Sequence, residues 1–283
     1  MSIDNQGATD PQGISAISEL ISEEVIATAT YYAETTSTNS AALQDVRESR
    51  VPPDQLPRLY LADRQTAGRG RHGRTWHSEN DSLTFSLLMK RSVDASPAIS
   101  LWPIAVGVGI ARAIEFCFAP LRTQLKWPND VYLDGGKVAG ILLETTHGTP
   151  ESVVIGIGVN INRAPDTALV EPTPAQSNPA RRMNAQSIAA VVGRRVGRYD
   201  LLPVLVEQVV QATCEATAKP LEMIDEFRGR CHLTGKSVSY QQHGQEQTAI
   251  CRGIDGNGEL MLETAAGMQV CHTGEVNLIR TKS

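Results

Sequence analysis

The sequence predicts an α/β domain followed by a small β-barrel. Two observations carry this. Before Gly235, apolar runs of strand length alternate with longer helical patterns, whereas after it short strands are split by Gly-rich turns. The third support is size: 283 residues, 41% hydrophobic and 20% charged, suffice for one large cored domain and a small one.

The elements follow in order. Residues 1–13 read as disordered, and ISAISELISEEV as a short helix. YYAETTSTN passes from strand-forming aromatics to hydroxyl and amide residues. SAALQDVRES continues as a helix that Thr38, Asn39 or Ser40 can cap. VPPDQLP is a linker, and RLYLADR and SLTFSLLMKR are strands on either side of a glycine- and arginine-rich loop. ISLWPIAVGVGIARAIEFCF is a long buried helix from about Pro103, with glycines that permit close packing. TQLKWPND is a short strand ending at a Trp-Pro corner. VYLDGGKVAGILLETTH is a hairpin turned at Asp134-Gly135-Gly136, and ESVVIGIGVNIN is another buried strand. Pro, Ser, Thr and Asn are dense from Arg163 to Asn184, which reads as a long loop. Two helices then precede a third, LEMIDEFRGR. KSVSYQQ, QTAICRGI, GELMLET and MQVCHT are the barrel strands. The expected division is an N-terminal extension over 1–28, a catalytic domain over 29–232 and the barrel over 233–283.

Composition excludes several functions. A net charge of −5 argues against a general nucleic-acid binder, so the arginines at 69, 71 and 74 form a local basic spot suited to an anion. No apolar run reaches membrane-spanning length, and the N-terminus lacks the features of a signal peptide. The five cysteines are scattered without a C-x-x-C and read as free thiols of a cytoplasmic protein. Cys231-His232 and Cys271-His272 hint at zinc, but neighbours on a strand face opposite ways.

Gly68-x-Gly70-x-x-Gly73 matches a dinucleotide fingerprint, yet RTWHSENDSLTF follows it where a helix is required. The segment from Gly229 to Ser237 has five residues between its glycines where a P-loop has four, and it leads into strands. Neither pattern holds. Physically, the loop's glycines let backbone N–H groups approach a ligand, its arginines offer planar permanent cations, and Trp76 offers a stacking face. Nothing apolar pins residues 68 to 74, so the loop is expected to be mobile when empty. Lys126-Trp127-Pro128-Asn129-Asp130 places two oxygen-bearing side chains beside a lysine, and Lys137 lies just past the hairpin turn. No nucleophilic Ser/His/Asp set stands out. Activation of a carboxylate by ATP fits this set. Two unit charges about 4 Å apart repel by roughly 4 kcal/mol at an effective dielectric near 20, and placed cations remove that barrier.

Together, Ser37-Thr38-Asn39, GRGRHGRTW at 68–76, KWPNDVYLDGGKVAGILLE at 126–144, VVIGIGVNIN at 153–162 and CRGIDGNGELMLE at 251–263 resemble the biotin–protein ligases. The resemblance runs in order from about residue 30 onward. It implies an α+β fold, with a mixed or antiparallel sheet like that of class II aminoacyl-tRNA synthetases, and an SH3-like C-terminal barrel. It implies two reactions: biotin and MgATP give biotinyl-5′-adenylate, and a lysine of a biotin carboxyl carrier domain then displaces AMP. No tightly bound prosthetic group is expected. By the same resemblance, Ser37, Thr38, Asn39 and Gln65 hydrogen-bond the biotin ureido ring, and Arg69, Gly70 and Arg71 close over biotin. Lys137 holds the biotin carboxyl and a phosphate oxygen. Gly68, Gly73, Arg74 and Trp76 serve the adenylate, with Trp76 against adenine. Lys126, Asn129 and Asp130 fall in the phosphate and Mg²⁺ region, and Asp130 receives the acceptor lysine's proton. Gly140, Gly156 and Gly158 allow close approach, and Asn160 steadies the adenosine side. Arg71, Lys137, Lys126 and Asp130 are the expected catalytic set. Some members of the family begin with a DNA-binding winged helix. Here an enzyme-only type is expected, with no DNA or membrane partner and a homodimer as an option the family allows. A lipoate–protein ligase and a non-catalytic biotin-binding regulator are the rivals. GRGRHG followed by Trp, with KWPND, favours biotin, and Arg71 with Lys137 favours catalysis.

Overall fold

A computed structural model describes residues 2–78, 82–91, 101–146, 148–165, 184–242, 245–272, 274 and 276–279. The stretch from 166 to 183, most of the expected long loop, lies outside them.

The chain begins with β1 (Ile3–Gln6) and α1 (Pro11–Ser22), then β2 (Thr28–Thr35), α2 (Thr38–Arg47), β3 (Arg58–Gln65), β4 (Ser82–Lys90) and α3 (Trp102–Cys117). There follow β5 (Thr123–Lys126), β6 (Asp130–Leu133), β7 (Gly136–Thr146) and β8 (Thr149–Asn160). Helices α4 (Ile188–Val192), α5 (Leu202–Ala218) and α6 (Pro220–Arg230) lead into β9 (Ser237–Gln242), β10 (Gln245–Ile254), β11 (Leu260–Thr264), β12 (Gly267–Cys271) and β13 (Val276–Leu278). One mixed sheet of eight strands runs β1-β2-β3-β4-β8-β7-β6-β5, parallel from β1 to β3 and antiparallel beyond. A second, antiparallel sheet runs β12-β11-β10-β9-β13. The expected α+β class holds.

Residues 2–13, read as disordered, are ordered. Ile3–Gln6 extends the sheet beside β2, and Asp10 caps α1 by accepting the Gln12 N–H at 3.0 Å. Ile17, Leu20 and Ile21 of α1 are buried in the main core. The expected hairpin turn is Asp134-Gly135 alone, both left-handed (φ 48° and 74°), with Gly136 already paired to Leu133. α3 and α5 cover one sheet face. Gly109 permits this, because a Cβ there would meet the Gln208 carbonyl oxygen at 2.7 Å.

The two faces of the sheet differ in residue size. Phe85, Leu87, Ile155, Ile157, Val159 and Ala139 point into the helical core. Their neighbours face the other way in cross-strand rows: Thr84–Gly158–Gly140, Ser86–Gly156–Leu142 and Leu88–Val154–Glu144. The apolar side of α2 covers the last of these rows, with Ala42, Leu43 and Val46 against Leu88 and Val154, while Asn39 at its start reaches the second. The rows of small residues are left as a floor.

Candidate active site

That floor is the base of a cavity of about 440 Å³, within the usual range for small-molecule sites. Its walls are the start of α2, the loop after β3, the Lys126–Asp130 corner, the β7–β8 rows and two barrel residues, Gly274 and Val276. Among its described lining residues are five Lys or Arg side chains (Arg69, Arg71, Arg74, Lys126 and Lys137) against one carboxylate, Asp130. Such a cavity selects an anionic ligand.

The start of α2 is built differently from the expected side-chain cap. Ser37 is the N-cap residue, extended (φ −164°, ψ 133°), and its hydroxyl makes no capping bond. Instead the Gln65 side-chain oxygen accepts the Thr38 N–H at 2.8 Å and the Thr38 hydroxyl at 3.2 Å. Asn39 is fully committed. Its amide nitrogen donates to the Leu142 carbonyl and to Glu144, and its oxygen accepts from Ser86 at 2.5 Å. Asn39 sits on Gly156, where a Cβ would lie 2.2 Å from its oxygen. Ser86 and Glu144 are the residues that sequence reasoning missed here. A signal for Ser86 existed: Ser82, Thr84 and Ser86 alternate along an otherwise apolar strand.

The arginine loop is a folded hairpin. Gly70 N–H bonds the Arg74 carbonyl at 2.7 Å and Trp76 N–H bonds the Gly68 carbonyl at 2.9 Å. It is stapled by polar contacts, which the expectation of a loose loop left out. Arg69 pairs with Glu144 at 2.7 Å, and Arg71 donates to Asn129 Oδ1 at 3.1 Å and to the Gly274 carbonyl at 3.5 Å. Gly68 and Gly73 do not line the cavity. A Cβ on Gly68 would strike the Trp76 carbonyl oxygen at 2.4 Å, and Gly73 is left-handed (φ 72°), so both serve the hairpin. Trp76 lies on the first row: Cβ atoms on Gly158 and Gly140 would meet its ring at 2.2 and 3.2 Å. Its indole N–H is buried with no hydrogen-bond partner among the described residues. Such a donor is costly unless a ligand acceptor meets it.

Opposite stands the charged corner. Lys137 Nζ is 2.6 Å from Asp130 Oδ1 and 5.8 Å from the Trp76 ring centroid. Burial alone would raise the Asp130 carboxyl. The ammonium groups of Lys137 and Lys126, the Lys137 hydrogen bond and the Arg74 guanidinium outweigh that and hold it below the usual carboxylate range. Asp130 therefore stands as the ion-paired partner of Lys137 in this corner. Lys126 is buried and donates to Asn277 Oδ1 of the barrel at 3.4 Å. Asn160 holds carbonyls of Lys137 and Gln186 through its amide nitrogen at 3.3 and 3.1 Å, fixing the 184–186 segment beside β7.

Magnesium prefers near-octahedral oxygen donors. Asn129 Oδ1 is held by Arg71 and Asp130 Oδ1 by Lys137, and no cluster of three metal-binding side chains occurs among the described residues. The expected Asn129/Asp130 pair is thus not a protein-built cage, and it would hold a Mg²⁺ ion only together with the phosphate oxygens of ATP. Of the histidines in the Cys-His pairs, His232 Nδ1 bonds Gln124 at 2.8 Å, and His272 Nδ1 bonds Glu259 at 2.6 Å. No helix among the described residues is long and apolar enough to cross a membrane.

Comparison with known proteins finds relatives in sequence and in fold. The pattern of the Biotin/lipoate A/B protein ligase family matches residues 31–160. A biotin–[acetyl-CoA-carboxylase] ligase of Paracoccus denitrificans is 32% identical over 250 residues, covering 86% of this chain and 98% of that protein. Its counterpart in Mycobacterium tuberculosis is 32% identical over 226 residues, covering 78% and 79%. The biotin protein ligase of Aquifex aeolicus, solved with biotin and ATP, superposes with a TM-score of 0.71 at 24% identity, covering 89% of this chain and 99% of that one. At that identity the likeness is one of fold.

Proposed function

Because the chain belongs to the biotin/lipoate A/B protein ligase family, with biotin–[acetyl-CoA-carboxylase] ligases among its relatives, we propose that it activates biotin with ATP and transfers it to a carrier lysine. A biotin carboxylate oxygen attacks the α-phosphorus and the bond to the β-phosphate oxygen breaks, giving biotinyl-5′-adenylate and pyrophosphate. The acceptor amine then attacks the acyl carbon, AMP leaves, and one proton is released as the amide forms. The acceptor is the carrier domain of a biotin-dependent carboxylase. Magnesium belongs to this reaction as the companion of ATP, and the cytoplasm is its compartment.

The observation that carries this reading is the convergence of Arg71, Lys126 and Lys137 on one cavity with a single carboxylate. Two anions must meet there, and fixed cations stabilise the charge that builds up between them. We assign Lys137 to the biotin carboxyl and the α-phosphate, Lys126 to the phosphates, and Arg71 to the adenylate, which it covers from the hairpin. Asp130 aims Lys137 through their ion pair. Thr38 and Gln65 offer the ureido ring its polar partners, and Asn39 fixes the strand behind them. The orphan N–H and the exposed face of Trp76 support an adenine placed against it, with Asn160 bracing the strand beneath.

ATP–pyrophosphate exchange tests the reading, with biotin, lipoate or no acid added. Exchange that needs biotin is expected, and Lys137→Ala should lower it at least about a hundredfold, the usual cost of a group aimed at transition-state charge. Exchange with lipoate alone would move the protein to the sister activity. Biotin binding without exchange would make it a binding protein.

A further inference from the structure

Glu144 lies outside the cavity lining, yet it touches two of its parts. One carboxylate oxygen, Oε2, accepts both the Arg69 guanidinium at 2.7 Å and the Asn39 amide at 2.9 Å. Arg69 stands at the base of the hairpin that carries Arg71 and Trp76, where its backbone bridges to Thr75. Asn39 is 3% exposed and belongs to the polar cluster of Thr38, Ser86 and Gln65. The hairpin and the start of α2 thus meet at a single anion on β7. Arg69 and Asn39 come from segments distant in the sequence, and Glu144 has the charge to satisfy both at once.

We propose that Glu144 is a positioning residue for biotin activation, tying the hairpin that covers the ligand to the polar floor that recognises it. This rests on the biotin-activating reading given above. The bond to Asn39 also fixes which way that amide points, with its oxygen toward Ser86. Removing the charge while keeping the shape releases Arg69 and lets the Asn39 amide turn. The hairpin then covers the cavity less tightly, but the cations that act on the reacting atoms stay in place. The effect belongs on ligand retention and not on the chemical step.

The experiment compares wild type, Glu144→Gln, Arg69→Gln and the double variant. It follows biotin-dependent pyrophosphate exchange and the rate at which biotinyl-adenylate leaves the protein. Loss of a charge-assisted hydrogen bond is expected to raise the biotin KM and the adenylate escape rate of Glu144→Gln about tenfold, with kcat within about twofold. Arg69→Gln should behave alike, and the double variant should be no worse than either single one. Glu34→Gln removes a carboxylate from an exposed arginine pair on the neighbouring strands and should leave every value unchanged. Wild-type retention in Glu144→Gln, or effects that add in the double variant, would overturn the role while leaving the reaction intact. A wild type without biotin-dependent exchange would overturn both. If Glu144→Gln does not fold, Glu144→Asp decides, since it draws the carboxylate back from both partners: faster adenylate escape at unchanged kcat supports the tie, and wild-type escape ends it.

Discussion

At the scale of the residue, His232 shows how position sets chemistry. It is 9% exposed, stacked on Tyr132 with centroids 4.9 Å apart, and bonded to Gln124 where the main sheet meets the barrel. Burial first, then the charges of Lys236 and Lys126, push its imidazole down to about 4. The unfolded chain protonates at about 6.5, so between these values it binds more protons than the native state. Stability is therefore full above the unfolded value and lost as the pH falls toward 4, by up to about 3 kcal/mol. In urea titrations across that interval, His232→Gln should show a flatter dependence on pH; an unchanged slope would remove His232 as the source. The site residues were unequally legible. Arg71, Lys137 and Trp76 announced themselves because few structural needs call for such groups beside glycines. Ser86 and Glu144 did not, because their partners, Thr38 and Asn39 of α2 and Arg69 of the hairpin, come from distant segments, which no local stretch contains. Gly68 and Gly73 misled for the converse reason: glycine answers both to a ligand and to a tight hairpin, and here the hairpin claims them.

At the scale of the element, β8 repays attention. In Val154-Ile155-Gly156-Ile157-Gly158-Val159-Asn160 the large residues 155, 157 and 159 are buried under the helices, and the glycines alternate onto the cavity side. That alternation was visible in the sequence. What sits on each glycine was not: Asn39 on Gly156 and Trp76 on Gly158 come from distant segments. Gly158→Ala would drive a methyl into the indole and displace it, since the clash at 2.2 Å is with side-chain atoms. The expected result is an ATP KM raised about tenfold, a cost in the range for overpacking, with biotin binding in the absence of ATP retained. Isothermal titration with each ligand separates the two. Equal loss of both would mean that the ring walls the biotin side as well.

At the scale of the whole molecule, both ends of the described chain are more integrated than the sequence suggests. The polar strand IDNQ carries no apolar alternation, so only its pairing with β2 reveals it. At the other end, the two sheets share one core. Val238, Tyr240, Cys251, Ile254 and Leu260 join the main cluster, and Trp127 donates its indole N–H to the Gly258 carbonyl at 3.0 Å across the junction. Gly258 itself is left-handed (φ 80°) and abuts Leu101 and Ile104. Trp127, the second residue of KWPND, is thus an anchor for the barrel beside the phosphate corner. Calorimetry should give a single unfolding transition for the wild type, and Trp127→Ala should split it or lower its midpoint by several degrees, as removal of a buried aromatic does. Two transitions in the wild type would contradict the shared core. The fold class was legible because periodicity and turn chemistry are local, whereas this junction depends on residues far apart in the chain.

The contact between Arg71 and the Gly274 carbonyl also bears on how the protein is made and how it fails. The hairpin is synthesised early and the segment that flanks it late. A chain nicked in that segment would keep its glycine floor, its lysines and its hairpin but lose one rim of the vessel. Under the proposed chemistry, its product is a mixed anhydride that acylates any amine it meets. Damage there would loosen the cover over that anhydride while leaving in place the lysines that make it.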